Sequence, residues 1–391
     1  MAESQAFVGV TQQDLRELLA DRDGPAISLY QPTHRAGPET EQNVIRLKNL
    51  VQEIEDRAVA RGFDRTTVCK LRAPIQGLLD RGEFWRHQLD GLAVFSAPDY
   101  FRYFKLPYSV EELVIVSNSV HTTPLMPALS EGHFYVLAIS QGSLRLVRAT
   151  QFGAEEVDLS GLDIPRSFDE AMRFDDFQKS NLQRHPTSSP GRGGGRVMQH
   201  GHGPGDEERK VEILRYFKAV DGGISKLLAG EPSPLVIAAV DYLIPLYRQA
   251  AAHPNVLEKG VSGNPEQLSP TELQARAWPV VEPHFRAVIE RAKDRFGSGL
   301  GPGTASCEPA TVLAAAHAGR IETLLVATGN RLWGIFDPAT NEVRDQDEPG
   351  PADVDLVDLA TRQTVLHGGN VYVVEPDAMP CEDAMAAVFR F

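Results

Sequence analysis

The sequence predicts an α/β protein of three consecutive domains, the middle one carrying a long, glycine-rich, basic loop. Three observations lead there. Short apolar runs of β type alternate along the whole chain with segments of helical periodicity. A length of 391 residues corresponds to about two to three domains of ordinary size. The hydrophobic content of 42% is enough to give each of them a core. The boundaries fall at 1–127, 128–265 and 268–391, with the loop at 184–205.

In the first domain, TQQDLRELLA reads as a helix, with Thr11 and Asp14 in a capping-like arrangement ahead of Leu15, Leu18 and Leu19. AISLY is a short strand. After the breaker QPTHRAGPE, a long surface helix is marked by Val44, Leu47, Val51, Ile54 and Ala58 at three- and four-residue spacing. DGLAVFSA, YFRYFKLP and EELVIVSN follow as strands, the first almost continuously apolar and therefore central.

The second domain opens with the hairpin FYVLAIS–QGS–LRLVRAT, in which Gly142 suits the turn. AEEVDL adds a strand and SFDEAMRF a short helix, and then the basic loop intervenes. Beyond it, residues 206–228 place Val211, Leu214, Phe217, Ile224, Leu227 and Leu228 on one helical face. Acids sit at the N-terminal end, where the helix dipole favours them, and Gly222 and Gly223 weaken the helix locally. PLVIAAV is a buried strand and DYLIPLYRQAAA a helix.

The third domain starts with a long helical stretch, SPTELQARAWPVVEPHFRAVIERAKDRF, which Pro279 and Pro283 are expected to kink or divide. GSGLGPGT ends it. Helix, strand, strand, helix and strand then follow as CEPATVLAAAHAGR, ETLLVAT, RLWGIFD, DLVDLATRQTVLHG and NVYVVE, the order of an α/β sandwich. No repeat of fixed period is evident.

A net charge of −14 argues against wholesale wrapping of nucleic acid, although a local basic patch can still meet phosphate. Cys69, Cys307 and Cys381 are distant from one another, odd in number and in no CxxC spacing, so the spacing indicates neither a disulfide framework nor a zinc ribbon. No basic leader and no long apolar run is present, and a cytoplasmic setting without membrane contact is expected.

The charge balance reverses between Gln178 and Gly205. That stretch holds Lys179, Arg184, Arg192 and Arg196 and no acid. Its glycines let the backbone approach a bulky partner closely, and a segment of this composition builds no core of its own. Two readings stand side by side: a functional loop, or a solvated insertion. On the first, Arg184, Arg192 and Arg196 pair with RNA phosphate as forked donors, with Gly193, Gly194, Gly195, Gln199, His200 and His202 completing the contact surface. His200 and His202 also form an H-x-H pair that, with His185 and Asp206, could begin a metal site, but glycines flank both imidazoles and no cysteine or HExxH accompanies them.

On these residues the chain resembles the archaeo-eukaryotic class 1 release factor and Pelota superfamily, in its bacterial branch. The resemblance covers the last two thirds of the chain: a hairpin-led middle region, a glycine loop, a long acidic-to-amphipathic helix, then AAAHAGRIETLLVAT and DLATRQTVLHGGNVYVV in a region resembling the ribosomal-protein-like C-terminal domain of that family. The first 127 residues match it only as a generic α/β domain. The resemblance implies a cytoplasmic protein whose partner is the ribosome, through rRNA or tRNA, with no cofactor and no metal. In the family the loop carries Gly-Gly-Gln, whose glutamine orients water at the peptidyl-tRNA ester. Here Gly194 and Gly195 are followed by Arg196, and a guanidinium is a donor only. Loss of that glutamine is a feature of Pelota-like factors, so the expectation is a non-hydrolytic role in rescue, stress or dormancy and a protein that is not an enzyme. The alternative is a hydrolase, peptidyl-tRNA or metal-dependent, using the histidines of the loop.

Other motifs carry less. GRGGGR and GSGLGPG lack the strand context of nucleotide fingerprints, no GxSxG elbow exists, and Ser188, Ser189 and Ser306 have no local base. His34 with Arg35 reads as a surface site or as a loop held by helix caps. His367 before Gly368 reads as the last turn of a helix closed by glycine.

Overall fold

The computed structural model describes residues 10, 12–20, 24–130, 132–140, 142–167, 204–346 and 353–391. They form a mixed α/β protein with several sheets, organised as two compact units: Met1–Glu131 with Phe285–Phe391, and Gly132–His284.

In the first unit, α1 (Gln12–Leu19), β1 (Ala26–Pro32), α2 (Thr40–Ala60), α3 (Arg65–Gln76), α4 (Gly82–Arg86), β2 (Gly91–Ala97), β3 (Tyr100–Leu106), β4 (Leu113–Ser117) and α5 (Met126–Ser130) precede the excursion to the second unit. The strands make an antiparallel sheet in the order β3-β2-β1-β4, so β2 is central as expected. A continuously apolar strand usually signals a parallel sheet covered on both faces. Here an antiparallel sheet is covered on both. Ile27, Leu29, Leu92, Val94, Val114 and Val116 join the core with α2 and α3. Their neighbours Ala26, Tyr30, Ala93, Phe95 and Ile115 join residues from 312–389 in a second core. The α2 stripe holds, with Leu47, Val51, Ile54 and Ala58 buried. Helix α3 is capped by Asp64, whose carboxylate accepts from Thr67 N at 2.8 Å.

The chain returns to this unit within α8 (Pro270–Gly299), and β10 (Ala305–Ser306), α9 (Pro309–His317), β11 (Ile321–Ala327), β12 (Trp333–Asp337), β13 (Glu342–Gln346), β14 (Val354–Asp355), α10 (Leu356–Leu366), β15 (Asn370–Val374) and β16 (Met385–Phe389) follow. The main sheet runs β10-β16-β11-β15 and a smaller one β13-β12-β14. The helix is not divided at Pro279 and Pro283, since α8 runs through both. Each proline removes only one i→i−4 bond, and the buried Leu273, Ala277 and Val281 recur four residues apart on a single face.

A buried polar clasp fastens the two sequence-distant halves of this unit. Asp358 on α10 accepts through one oxygen from Thr122 N (2.6 Å), Thr123 N (2.7 Å), Thr123 Oγ1 (2.9 Å) and Thr122 Oγ1 (3.2 Å). His121 Nδ1 lies 3.5 Å from Asp358 and 3.7 Å from Asp355, all three residues being buried. Burial raises the Asp355 carboxyl above its ordinary range, and proximity to His121 partly offsets this.

The second unit holds β5 (Phe134–Ile139), β6 (Leu144–Ala149), β7 (Ala154–Val157), α6 (Pro204–Leu227), β8 (Leu235–Ala239), α7 (Leu243–Ala250), β9 (Val261–Ser262) and the first half of α8. The predicted hairpin is β5–β6, and the sheet order is β7-β6-β5-β8-β9, with β5, β8 and β9 parallel. One face, Tyr135, Leu137, Ile139, Leu235 and Ile237, packs against Ile213, Phe217, Val220 and Ile224 of α6 and Tyr247 of α7. On the other, Phe134 meets Trp278 with ring centroids 6.1 Å apart, and Gln274 Nε2 donates to Gln151 O at 2.7 Å. The helix expected at SFDEAMRF and the cap at Thr11 lie outside or almost wholly outside the described residues.

Candidate nucleic-acid interface

The frame that carries the glycine loop is built from β7 on one side and α6 on the other. After β7, Asp158 turns the chain by accepting from Ser160 N at 2.7 Å, and Leu159 and Ile164 bury themselves in the α6 core. Gly223 is what admits Ile164: a Cβ there would lie 2.1 Å from Ile164 Cγ2. The two glycines expected to weaken α6 therefore have different roles, since a Cβ at Gly222 would meet nothing within 4 Å, while the helix runs on through both.

Helix α6 is tied to its neighbour as well as packed. Asp221, buried on its inner face, accepts from Ala252 N at 2.7 Å and from Tyr247 Oη at 3.2 Å. Burial, reinforced by the Asp221 charge, keeps the Tyr247 phenol protonated far above its ordinary range. Near the start of α6, Arg209 and Ile213 border a small cleft of about 20 Å³ together with Ile139 and Ser140 from the end of β5 and Tyr242 and Leu243 from beyond β8. The N-terminal part of α6 thus lies at the carboxyl ends of the parallel pair β5 and β8, the edge at which open α/β sheets gather ligands. Arg209 and Lys210 are exposed there, and Tyr242 is 52% exposed.

Arg184, Arg192, Gly193, Gly194, Gly195, Arg196, Gln199, His200 and His202 all lie outside the described residues, as does His185. What is described is the frame from which the chain leaves at residue 167 and to which it returns at residue 204.

Residues 134–283 match the profile of the bacterial archaeo-eukaryotic release factor family 7. Over this stretch the chain is similar to that family. The stretch begins with β5, spans the glycine loop and α6, and ends inside α8, within the second compact unit. No curated protein matches the chain. Among solved structures it is similar to an archaeal translation termination factor, aRF1 (13% identity, 98% of this chain and 99% of that one, TM-score 0.23). It is also similar to Archaeoglobus fulgidus Pelota (12%, 98% and 94%, 0.28) and to archaeal Pelota in a model of ribosome-bound Pelota and ABCE1 (12%, 98% and 95%, 0.38). Superpositions this loose carry no functional information about this chain. Among the described residues, no helix is long and apolar enough to cross a membrane.

Other polar groups resolve into supports. Asn43 brackets His34, donating to its carbonyl and accepting from its N–H, both at 3.0 Å, and Arg35 forms a two-pronged pair with Asp90 at 2.8 and 2.6 Å. The loop is thus held by a side chain from inside α2 rather than by a helix cap, the α2 N-cap Glu39 making no capping bond. His367 closes α10, followed by Gly368 at φ +71°. At the opposite end of β5, His133 Nε2 lies 2.9 Å from Glu231 and 3.0 Å from Ser233 Oγ. Both oxygens share one ring nitrogen, so the trio lacks the nucleophile–base–orienter geometry of a hydrolase. Burial, helped by Arg148, lowers the His133 pKa.

One grouping escaped the spacing argument. Cys307 and Cys381, 74 positions apart by number, meet beside Asp383, with their ligand atoms all within 4.8 Å of one another. Burial, then a hydrogen bond to Asp383, pushes the Cys307 thiol up to about 12, and burial also raises Cys381. Pairing of β10 with β16 causes the meeting, and strand pairing of residues that distant leaves no trace in local spacing.

Proposed function

We propose that the chain is a release-factor-like protein that engages the ribosome through the 184–205 loop without hydrolysing the peptidyl-tRNA ester, in translation rescue, stress or dormancy. The observation that carries this reading is the residue after Gly194-Gly195. A family-7 release-factor unit has arginine, Arg196, where the water-orienting glutamine is expected. A guanidinium cannot accept the hydrogen bond a water nucleophile needs, but it pairs readily with phosphate. On this reading Arg184, Arg192 and Arg196 face rRNA or tRNA backbone, with Gly193–Gly195 allowing close approach and Gln199, His200 and His202 adding polar contacts. The stem is α6, held against the sheet by Phe217 and Ile224 and against α7 by Asp221. The domain plan that goes with it is 1–127, 128–265 and 268–391, the last ribosomal-protein-like, in a cytoplasmic protein.

Co-sedimentation with ribosomes over a salt series tests the proposal. The wild-type chain is expected to bind, and the Arg184/Arg192/Arg196→Ala triple variant to bind more weakly with a shallower salt dependence. Three lost phosphate contacts on single-stranded RNA reduce the slope of log K against log salt by about 2. Unchanged binding by the triple variant, or peptide release by the wild-type chain on programmed ribosomes, overturns it.

A further inference from the structure

The cysteine pair at the edge of the C-terminal sheet meets in a way that serves neither the core nor the proposed ribosome contact. Cys307 follows the edge strand β10 and precedes α9, while Cys381 and Asp383 occupy the turn that feeds β16. Antiparallel pairing of Ala305 with Val388 and Ser306 with Ala387 draws these two stretches together. The two sulfurs and a carboxylate oxygen lie within 4.8 Å of one another. Both thiols are half-buried against the core formed by Phe296 and Val388, whereas Asp383 is exposed and opens the group to solvent.

We propose that Cys307, Cys381 and Asp383 bind a thiophilic divalent cation of the zinc class, which staples the turn before β16 to the β10 edge. The donor set decides the class. Two sulfurs and one carboxylate suit Zn²⁺ and its spectroscopic substitute Co²⁺, and are too soft for Mg²⁺ or Ca²⁺. Zinc–sulfur bonds of about 2.3 Å in a tetrahedron place two sulfurs about 3.8 Å apart, a separation these side chains reach by small rotations from the present one. Three protein ligands leave the fourth position to water on the Asp383 side.

Binding replaces protons by metal. Two thiols, one carboxylate and M²⁺ give a site of net charge −1 and two protons released to solvent, so nothing is oxidised or reduced. A disulfide is the competing outcome. It would use only the two sulfurs and leave Asp383, whose carboxylate lies within 4.8 Å of both, without a part.

The test uses the full-length chain. Elemental analysis of protein purified without chelator is expected to find one zinc per chain. Co²⁺ added to the metal-free protein is expected to give the thiolate-to-cobalt charge-transfer absorption and intense visible bands of a tetrahedral site. Cys307→Ser and Cys381→Ser abolish both signals, Cys69→Ser, at an exposed distant cysteine, retains them, and Asp383→Asn, which leaves the sulfurs in place, weakens competition against a chelating dye by about 10- to 100-fold. Circular dichroism confirms that each variant is folded, and Asp383→Asn keeps the test decisive if a cysteine variant is not. No zinc together with a flat Co²⁺ titration overturns the proposal. So does metal retained by the double cysteine variant, or a Cys307–Cys381 cross-linked peptide in protein handled without reductant.

Discussion

Replacing Gly222 and Gly223 of α6 by alanine, one at a time, separates helix propensity from packing at adjacent positions. Both are interior helical glycines, so each replacement removes backbone entropy from the unfolded chain and stabilises by about 0.5–1 kcal/mol. At Gly222 nothing else changes, because the new methyl enters open space. At Gly223 the methyl would stand 2.1 Å from Ile164 Cγ2 and 3.5 Å from Ile164 Cβ. Ile164 as a whole is only 8% exposed, and its branch-point methyl cannot swing away without moving the segment that bears it. Overpacking of this kind costs about 1–3 kcal/mol. The propensity term is common to both variants, so Gly223→Ala is expected to be less stable than Gly222→Ala by that amount. Urea denaturation followed by circular dichroism measures the difference, and hydrogen exchange across 204–227 locates it on α6. Ile164→Ala in the Gly223→Ala background should recover part of the loss. A Gly223→Ala protein as stable as Gly222→Ala refutes the packing argument, and with it the claim that Gly223 is what admits Ile164.

Asp358→Ala strands the buried Thr122 N–H and the partly buried Thr123 N–H, and is expected to cost about 2–4 kcal/mol in chemical denaturation; Asp358→Asn, which keeps an acceptor, should cost clearly less, and a loss under about 1 kcal/mol for the alanine variant would sink the clasp. His133 has a folded pKa below its unfolded value of about 6.5, so between the two the unfolded chain binds more protons and stability falls as pH falls through that window. His133→Gln should flatten this part of the stability–pH curve, and an equally steep curve contradicts the assignment. Arg196→Gln should leave peptide release undetectable or very weak, since misplacement by about 1 Å costs on the order of a hundredfold; full release-factor activity from that single change would mean the loop is already arranged for hydrolysis.

Elements whose burial follows a local period were legible from residues alone. The α2 stripe at Leu47, Val51, Ile54 and Ala58 is buried as read, and the β5–β6 hairpin and β8 fall where predicted. The missing elements are those whose periodicity is masked. Helix α3 carries Pro74 inside it. Strand β13, EVRDQ, is an edge strand of mostly exposed side chains. Strand β16, MAAVF, opens with Met385, Ala386 and Ala387 and is fully buried between β10 and β11; those three residues favour helix locally and become strand because two neighbours are there to pair with them. The same non-local pairing hides the cysteine group. Release-factor likeness was legible because it depends on the order of elements around a glycine loop, and the family match extends over that order.

The functional reading turns on the contrast between a stiff stem and a loop that cannot build a core. Helix α6 is held on three sides: by the sheet through Phe217 and Ile224, by α7 through Asp221, and by the chain leaving β7 through Ile164 at Gly223. None of these contacts involves a charge that a ribosome would read. On the proposed reading, recognition of the partner falls to the 184–205 segment, which carries Arg184, Arg192 and Arg196 and no acid in a protein of net charge −14. On that reading, arginine in place of glutamine after Gly194-Gly195 changes what the segment can do to an ester, while the residues that hold the stem are untouched. The proposed reading therefore expects binding and hydrolysis to be separable: stem variants such as Gly223→Ala are expected to act on stability, and loop variants on binding or chemistry with the stem intact.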